Sequence, residues 1–304
     1  MMIELARDSV LPWECDRNDH LNMQFYVGRA SNALTALGVA LGIGPRELTR
    51  RGLVLTEVDT HIRFLRELRS GVPFAINGGI LEANEEQLTV FLELTNVATG
   101  EPSATFRTLV ELRQAVDFSP VCFDASIIER AKTIPAEIPA HGAPRGLQMI
   151  APRLSPTLAE ATRIGMVASY QGSVRPADCD SQGRLKSRLY MAYVFGALSH
   201  VFVQLRTSEM EGSARRSGAA VEYRLIYRAR PSVGAALALR SGMSAVSGKT
   251  FSHIHWLFDV ESGECAATIE AVSVGLDLET RKALEMTPEM RARYEAAIVP
   301  GLTV

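Results

Sequence analysis

The chain has 304 residues, 47% hydrophobic and 22% charged, with a formal net charge of -2. This is an ordinary globular composition of about two-domain length. The balanced charge points away from a nucleic-acid coat or a polybasic membrane patch, and no apolar run reaches the ~18 residues of a membrane span. The opening "MMIELARDSV" lacks the basic segment and apolar core expected of a secretory signal. Cys15, Cys122, Cys179 and Cys265 are scattered with no C-x-x-C pair, which fits a reducing, cytoplasmic setting and neither a disulfide framework nor a zinc cluster.

In chain order, a short strand ends near Trp13 and leads into "PWECDRNDHLNMQFY", Pro12 to Tyr26. Asp16, Asn18, Asp19 and His20 crowd the entrance of an apolar-periodic segment, Met23 to Leu41, whose spacing predicts a helix about 28 Å long. Strand-like runs follow at Val54–Leu65, Val72–Leu81, Gln87–Asn96 and Ser103–Leu112. Asp117–Ile164 holds six prolines and reads as a linker. Beyond it a short strand ends near Ala177. A helix is predicted over Ser187–Thr207, with Leu189, Tyr193, Ala197 and Val201 on one face. Strands are expected at Ala220–Tyr227, Ala235–Ser244, Thr250–Asp259 and Cys265–Leu276, then a tail helix capped by Thr287 with Pro288 in its first position.

The two halves repeat. At a shift of 164, Cys15-Asp16 falls on Cys179-Asp180, Leu21 on Leu185 and Tyr26 on Tyr190; at 163, Gly71 falls on Gly234, Gly79 on Gly242 and Gly100-Glu101 on Gly263-Glu264. "VATGEP" and "VESGEC" read as matching hairpin turns with a left-handed glycine. A tandem duplication follows: repeats over 1–116 and 165–280, a linker over 117–164 and a tail over 281–304. One helix followed by a meander of strands makes each repeat an α+β layer, a sheet covering a helix.

This layout and the "CDRNDHLN" motif resemble the hotdog-fold acyl thioesterases of the 4-hydroxybenzoyl-CoA thioesterase type, here as a tandem double hotdog. That family's pattern is matched by Asp16, His20, Leu21, Asn22 and Tyr26, with Asp19 where the family has glycine. The plant acyl-ACP thioesterases, also double hotdogs, carry Asp-x-Asn-x-His-Val-Asn, matched by Asp16, Asn18, His20 and Asn22. In that group a Glu on the strand after the helix completes the site, and Glu57 stands in about that place. The resemblance implies a thioesterase acting on acyl-CoA, or else on acyl-ACP, with no metal or redox cofactor and no nucleic-acid or membrane partner. A homo-oligomer is compatible with it.

Thioester hydrolysis needs an activated water, donors for the oxyanion and room for the acyl group. A helix N-terminus supplies unpaired N–H groups and a positive dipole end, so Asn22 and Met23 are candidate carbonyl holders. Asp16 is the candidate base or nucleophile, Asn18 and His20 orient, and Glu57 is a second base. The alternative for Asp16 is plain helix capping. In the second repeat Asp180 persists, but Arg184 replaces His20, Lys186 replaces Asn22 and Ala220 replaces Glu57. One working site, in the first repeat, is the simplest inference. Arg184 and Lys186 are candidates for a CoA phosphate or for a solvated helix start. Asp180, Tyr26 and Tyr190 are candidates for lining the substrate, or, for the tyrosines, for packing helix on sheet. A rival of another class is an acyl-CoA-binding protein without turnover, whose motif would be broken in both repeats. His253 and His255 alternate along a strand as metal ligands do, but no third ligand stands at metal-like spacing.

Overall fold

The computed structural model describes residues 1–205 and 216–304. They form two compact units, Met1–Ala143 and Pro144–Val304.

In the first unit, β1 (Ile3–Ser9) precedes a short 3-10 turn and helix α1 (Met23–Ala40). Helix α2 (Pro45–Arg51) and strands β2 (Leu53–Phe64), β3 (Pro73–Ala83), β4 (Leu88–Asn96) and β5 (Pro102–Gln114) follow. The strands form an antiparallel sheet in the order β1-β3-β4-β5-β2. The apolar face of α1 recurs every three to four residues through Tyr26, Val27, Ala30, Ala33, Leu34 and Leu37, and all are buried. That face packs on β1 and β3, and the Tyr26 ring meets Phe64 of β2 edge-on at 5.2 Å. Helix α2 was not foreseen; Pro45 starts it and Gly52, at φ +65°, ends it.

The second unit repeats the plan with β7 (Val167–Ser173), helix α5 (Ser187–Phe202), and strands β8 (Arg216–Tyr227), β9 (Ala236–Ser247), β10 (Thr250–Asp259) and β11 (Cys265–Asp277). Their order is β7-β9-β10-β11-β8, again antiparallel. The expected helix to Thr207 ends earlier: α5 stops at Phe202, a 3-10 turn runs to Leu205, and Arg206 and Thr207 lie outside the described residues. Both hairpin glycines, Gly100 and Gly263, sit at φ +73° as the turn chemistry requires. The tail helix, α6 (Pro288–Ala296), is capped by Thr287, which accepts the Met290 N–H at 3.3 Å.

The proline-rich stretch is not a free connector. Its first part belongs to the first unit, through β6 (Pro120–Val121) on β5, helix α3 (Ala125–Ala131), and main-chain bonds that join Ile80 to Ile134 and Ala136. Its second part is strapped along the outer face of β8 and includes the short helix α4 (Leu158–Arg163). There the buried Glu222 carboxylate accepts the N–H groups of Arg145, Gly146 and Leu147 at 3.0, 2.6 and 3.3 Å. Arg224 donates to the Ile150 carbonyl at 2.8 Å and Arg228 to that of Arg153 at 3.0 Å. A segment this irregular stays packed only if its backbone polar groups find partners, and side chains of β8 supply them.

Candidate active site

The mouth of α1 is built by a closed loop. The Glu14 carboxylate is pinned by Arg29 at 2.8 Å and accepts the Leu11 N–H, while the Glu14 carbonyl takes the N–H of Asn22. Asp16 Oδ1 accepts the N–H groups of Asn18 at 2.8 Å and His20 at 3.2 Å, and Asp16 N–H donates to the His20 carbonyl. This tight turn needs a left-handed residue, and Asp19 supplies it at φ +59°; its counterpart in the second unit is Gly183 at φ +74°. Asp is among the few non-glycine residues that tolerate this conformation. Asn22 caps α1 by accepting the Gln24 N–H at 3.2 Å. With both groups of Asn22 engaged, Met23 is the expected oxyanion donor whose N–H has no hydrogen-bond partner among the described residues.

His20 meets an acid that the sequence did not single out. Its Nε2 lies 3.2 Å from Glu67 Oε2, just past the end of β2, with the imidazole side chain 12% exposed. The contact follows from the main chain: Leu21 N–H donates to the Leu68 carbonyl at 2.8 Å and ties the two loops together. Glu57 stands elsewhere. It faces α1 and accepts the Ser31 hydroxyl at 2.6 Å. Ser31 is eight residues into α1, so this pair sits about 12 Å along the helix from its mouth. Glu57 directly precedes a β-bulge in β2, between Glu57 and Asp59. A bulge of this kind re-aims side chains, and the sequence carries no clear signal of it.

The second unit shows which of these contacts the fold itself demands. Asp180 Oδ1 accepts the N–H groups of Gln182 and Arg184 at 2.9 and 3.0 Å, as Asp16 does in its own loop. Arg184 replaces His20 and Arg230 replaces Glu67, so the second loop holds two cations where the first holds a histidine and a carboxylate. Lys186 makes no side-chain cap and donates instead to the Ala177 carbonyl at 3.2 Å, while Arg230 donates to Ser187 Oγ at 2.8 Å. The tyrosines pack in both units: Tyr26 accepts the Leu68 N–H, and Tyr190 donates to the Ala229 carbonyl at 2.6 Å and meets Tyr227 edge-on. Burial pushes the Tyr26 hydroxyl up to about 12. Burial, then the carboxylates of Asp19, Asp16 and Glu14, also raises the Cys15 thiol, which disfavours its thiolate form.

A sequence profile of the Thioesterase-like superfamily matches residues 10–138 and 174–294, one segment per repeat. No curated protein sequence matches the chain. Among solved structures, a protein described as an oleoyl thioesterase from Lactobacillus plantarum superposes with a TM-score of 0.68 at 13% identity, covering 90% of this chain and 96% of that one. An acyl-ACP thioesterase from Bacteroides thetaiotaomicron gives 0.64 at 13% identity, covering 90% and 97%. The 12:0-ACP thioesterase from Umbellularia californica gives 0.66 at 14% identity, covering 90% and 94%. At these identities the similarity is one of fold, and it extends over both repeats.

Proposed function

The chain belongs to the Thioesterase-like superfamily, and on that footing we propose that it hydrolyses an acyl thioester at the mouth of α1, releasing a free acid and a thiol. In this reading each unit is a hotdog, with its sheet wrapped about α1 or α5. The observation that carries the proposal is the His20–Glu67 pair beside an unengaged helix N–H, present in the first repeat and replaced by arginines in the second.

Glu67 accepts from Nε2–H of His20 and fixes the tautomer, which leaves Nδ1 as the basic atom. His20 Nδ1 takes a proton from water as the oxygen attacks the thioester carbonyl carbon. The carbonyl oxygen becomes an oxyanion held by the Met23 N–H and the positive end of α1. Collapse of the intermediate breaks the C–S bond, and the imidazolium returns its proton to the departing sulfur. Asp16 holds the turn that carries His20, the task Asp180 performs in the degenerate repeat. Glu57 takes no proton in this scheme.

The carrier is CoA in our reading; Arg184 and Lys186, cations at the mouth of α5, stay candidates for a CoA phosphate bound at the second unit itself. A second reading, acyl carrier protein, is favoured by the two full-length structural neighbours described as acyl-ACP thioesterases. Thiol release from matched acyl-CoA and acyl-ACP panels separates the two. Turnover on acyl-CoA supports the first, turnover confined to acyl-ACP supports the second, and no release from either sinks the proposal. Asp16→Asn keeps an acceptor oxygen for the turn, so it is expected to retain turnover within ~10-fold, well short of the ~10²–10⁴ that a general base contributes.

A further inference from the structure

Five buried polar side chains run in a row across four strands of the second unit. Ser169 on β7 bonds Ser241 on β9 at 2.6 Å; Ser241 bonds His255 Nδ1 at 2.6 Å; His255 Nε2 bonds His253 Nδ1 at 2.7 Å; His253 Nε2 bonds Ser273 on β11 at 3.1 Å. All five are more than nine-tenths buried. The matching positions in the first unit, by ladder register, are Leu5, Gly78, Leu92, Val90 and Val110. They carry no polar side chain. There Leu92 and Leu5 close over Gly78, where an added Cβ would lie 2.4 and 2.6 Å from their methyl groups. In the second unit Ser241 fills that space and a histidine replaces the leucine.

The end of the row sets its polarity. Ser169 reaches the Leu239 carbonyl at 3.2 Å, and a carbonyl only accepts. Ser169 therefore donates to it and accepts from Ser241; Ser241 accepts from His255 Nδ1–H; His255 Nε2 accepts from His253 Nδ1–H; and His253 Nε2 accepts from the Ser273 hydroxyl. Each hydroxyl then has an acceptor and each imidazole is neutral with its proton on Nδ1. The reverse order leaves Ser273 without an acceptor among the described residues.

We propose that this row is an acid-sensitive latch, built into the second unit and missing from the first. One added proton would put an uncompensated positive charge among the rings of Tyr223, Phe202 and Phe251. A second would set two N–H donors face to face across the histidine pair. Among the described residues, the titratable groups whose rings face the row are the phenols of Tyr223 and, beyond Phe202 and Phe251, Tyr294 of α6; neither supplies a negative charge near neutrality. Of the charged residues on these strands, Glu222, Arg224, Arg240 and Glu270 alternate onto the opposite face, while Asp259 and Asp277 stand at the strand ends, four residues from His255 and Ser273. Burial holds His253 down to about 4 and His255 well below its usual value, with the neighbouring histidine adding to the effect. Because both fall below the unfolded value of about 6.5, the unfolded chain binds the protons first. The latch is whole above that pH and is lost as pH falls from there towards about 4.

The chain's two tryptophans divide between the units, Trp13 exposed in the first and Trp256 buried in the second. In the full chain carrying Trp13→Phe, Trp256 fluorescence follows urea unfolding of the second unit. The midpoint should fall steadily between pH 6.5 and 4. It should fall much less in the variant given the first unit's set, Ser169→Leu, Ser241→Gly, His253→Val, His255→Leu and Ser273→Val. An equal acid slope in both overturns the latch. Should that variant not fold, nitrogen-15 spectra of the unaltered chain decide. Two Nδ1–H imidazoles that stay neutral to below pH 5 support it, and Nε2–H tautomers or titration near pH 6.5 refute it.

Discussion

The strap over β8 gives a prediction whose size follows from its contacts. Glu222→Ala removes the acceptor of three N–H groups. Leu147 is buried, so its N–H is left without a partner, at about 1–3 kcal/mol. Arg145 and Gly146 are exposed, so water takes over and each loss is limited to about 0.5–1.5 kcal/mol. The sum centres near 4 kcal/mol. Glu222→Gln keeps one acceptor oxygen and should lose about half of that. The assay is urea unfolding followed at Trp256 in the Trp13→Phe background, where an unchanged slope with a lowered midpoint marks a stability effect. Glu222→Ala within about 1 kcal/mol of the parent would refute the view that the strap is held by this carboxylate.

Two further outcomes follow from the loops and the thiols. Asp19→Gly should lie within about 1 kcal/mol of the parent, since glycine accepts the left-handed φ that Gly183 already shows, whereas Asp19→Val should lose about 1–2 kcal/mol by urea titration. In iodoacetamide labelling at pH 8, exposed Cys122 should react first, while Cys265, pushed up to about 12 by burial, should stay unlabelled until the chain unfolds.

Much of the architecture was legible because the duplication checks itself. Residues that recur at a shift of 163 or 164, such as Gly100 with Gly263 and Asp16 with Asp180, mark turns that both repeats need, and the structure finds them in matching conformations. Helix α1 was legible because its apolar face is regular. The partner of His20 was not. Glu57 and Glu67 both follow the helix, and only the tie between Leu21 and Leu68 decides which one arrives at the mouth. The β-bulge after Glu57 changes which face each residue of β2 presents, and periodicity cannot locate it. The proline-rich stretch reads as linker from its composition, while its order comes from partners far away in sequence, β3 and β5 for its first part and β8 side chains for its second.

The most direct test of the central claim compares three variants in one thiol-release assay: His20→Gln, Glu67→Gln and Glu57→Gln. The site at the mouth of α1 predicts that His20→Gln loses ~10²–10⁴ in turnover. Glu67→Gln should lose a substantial part of that, and Glu57→Gln far less. A Glu57→Gln variant without turnover, beside an active His20→Gln, would place the chemistry two turns down the helix and contradict the account.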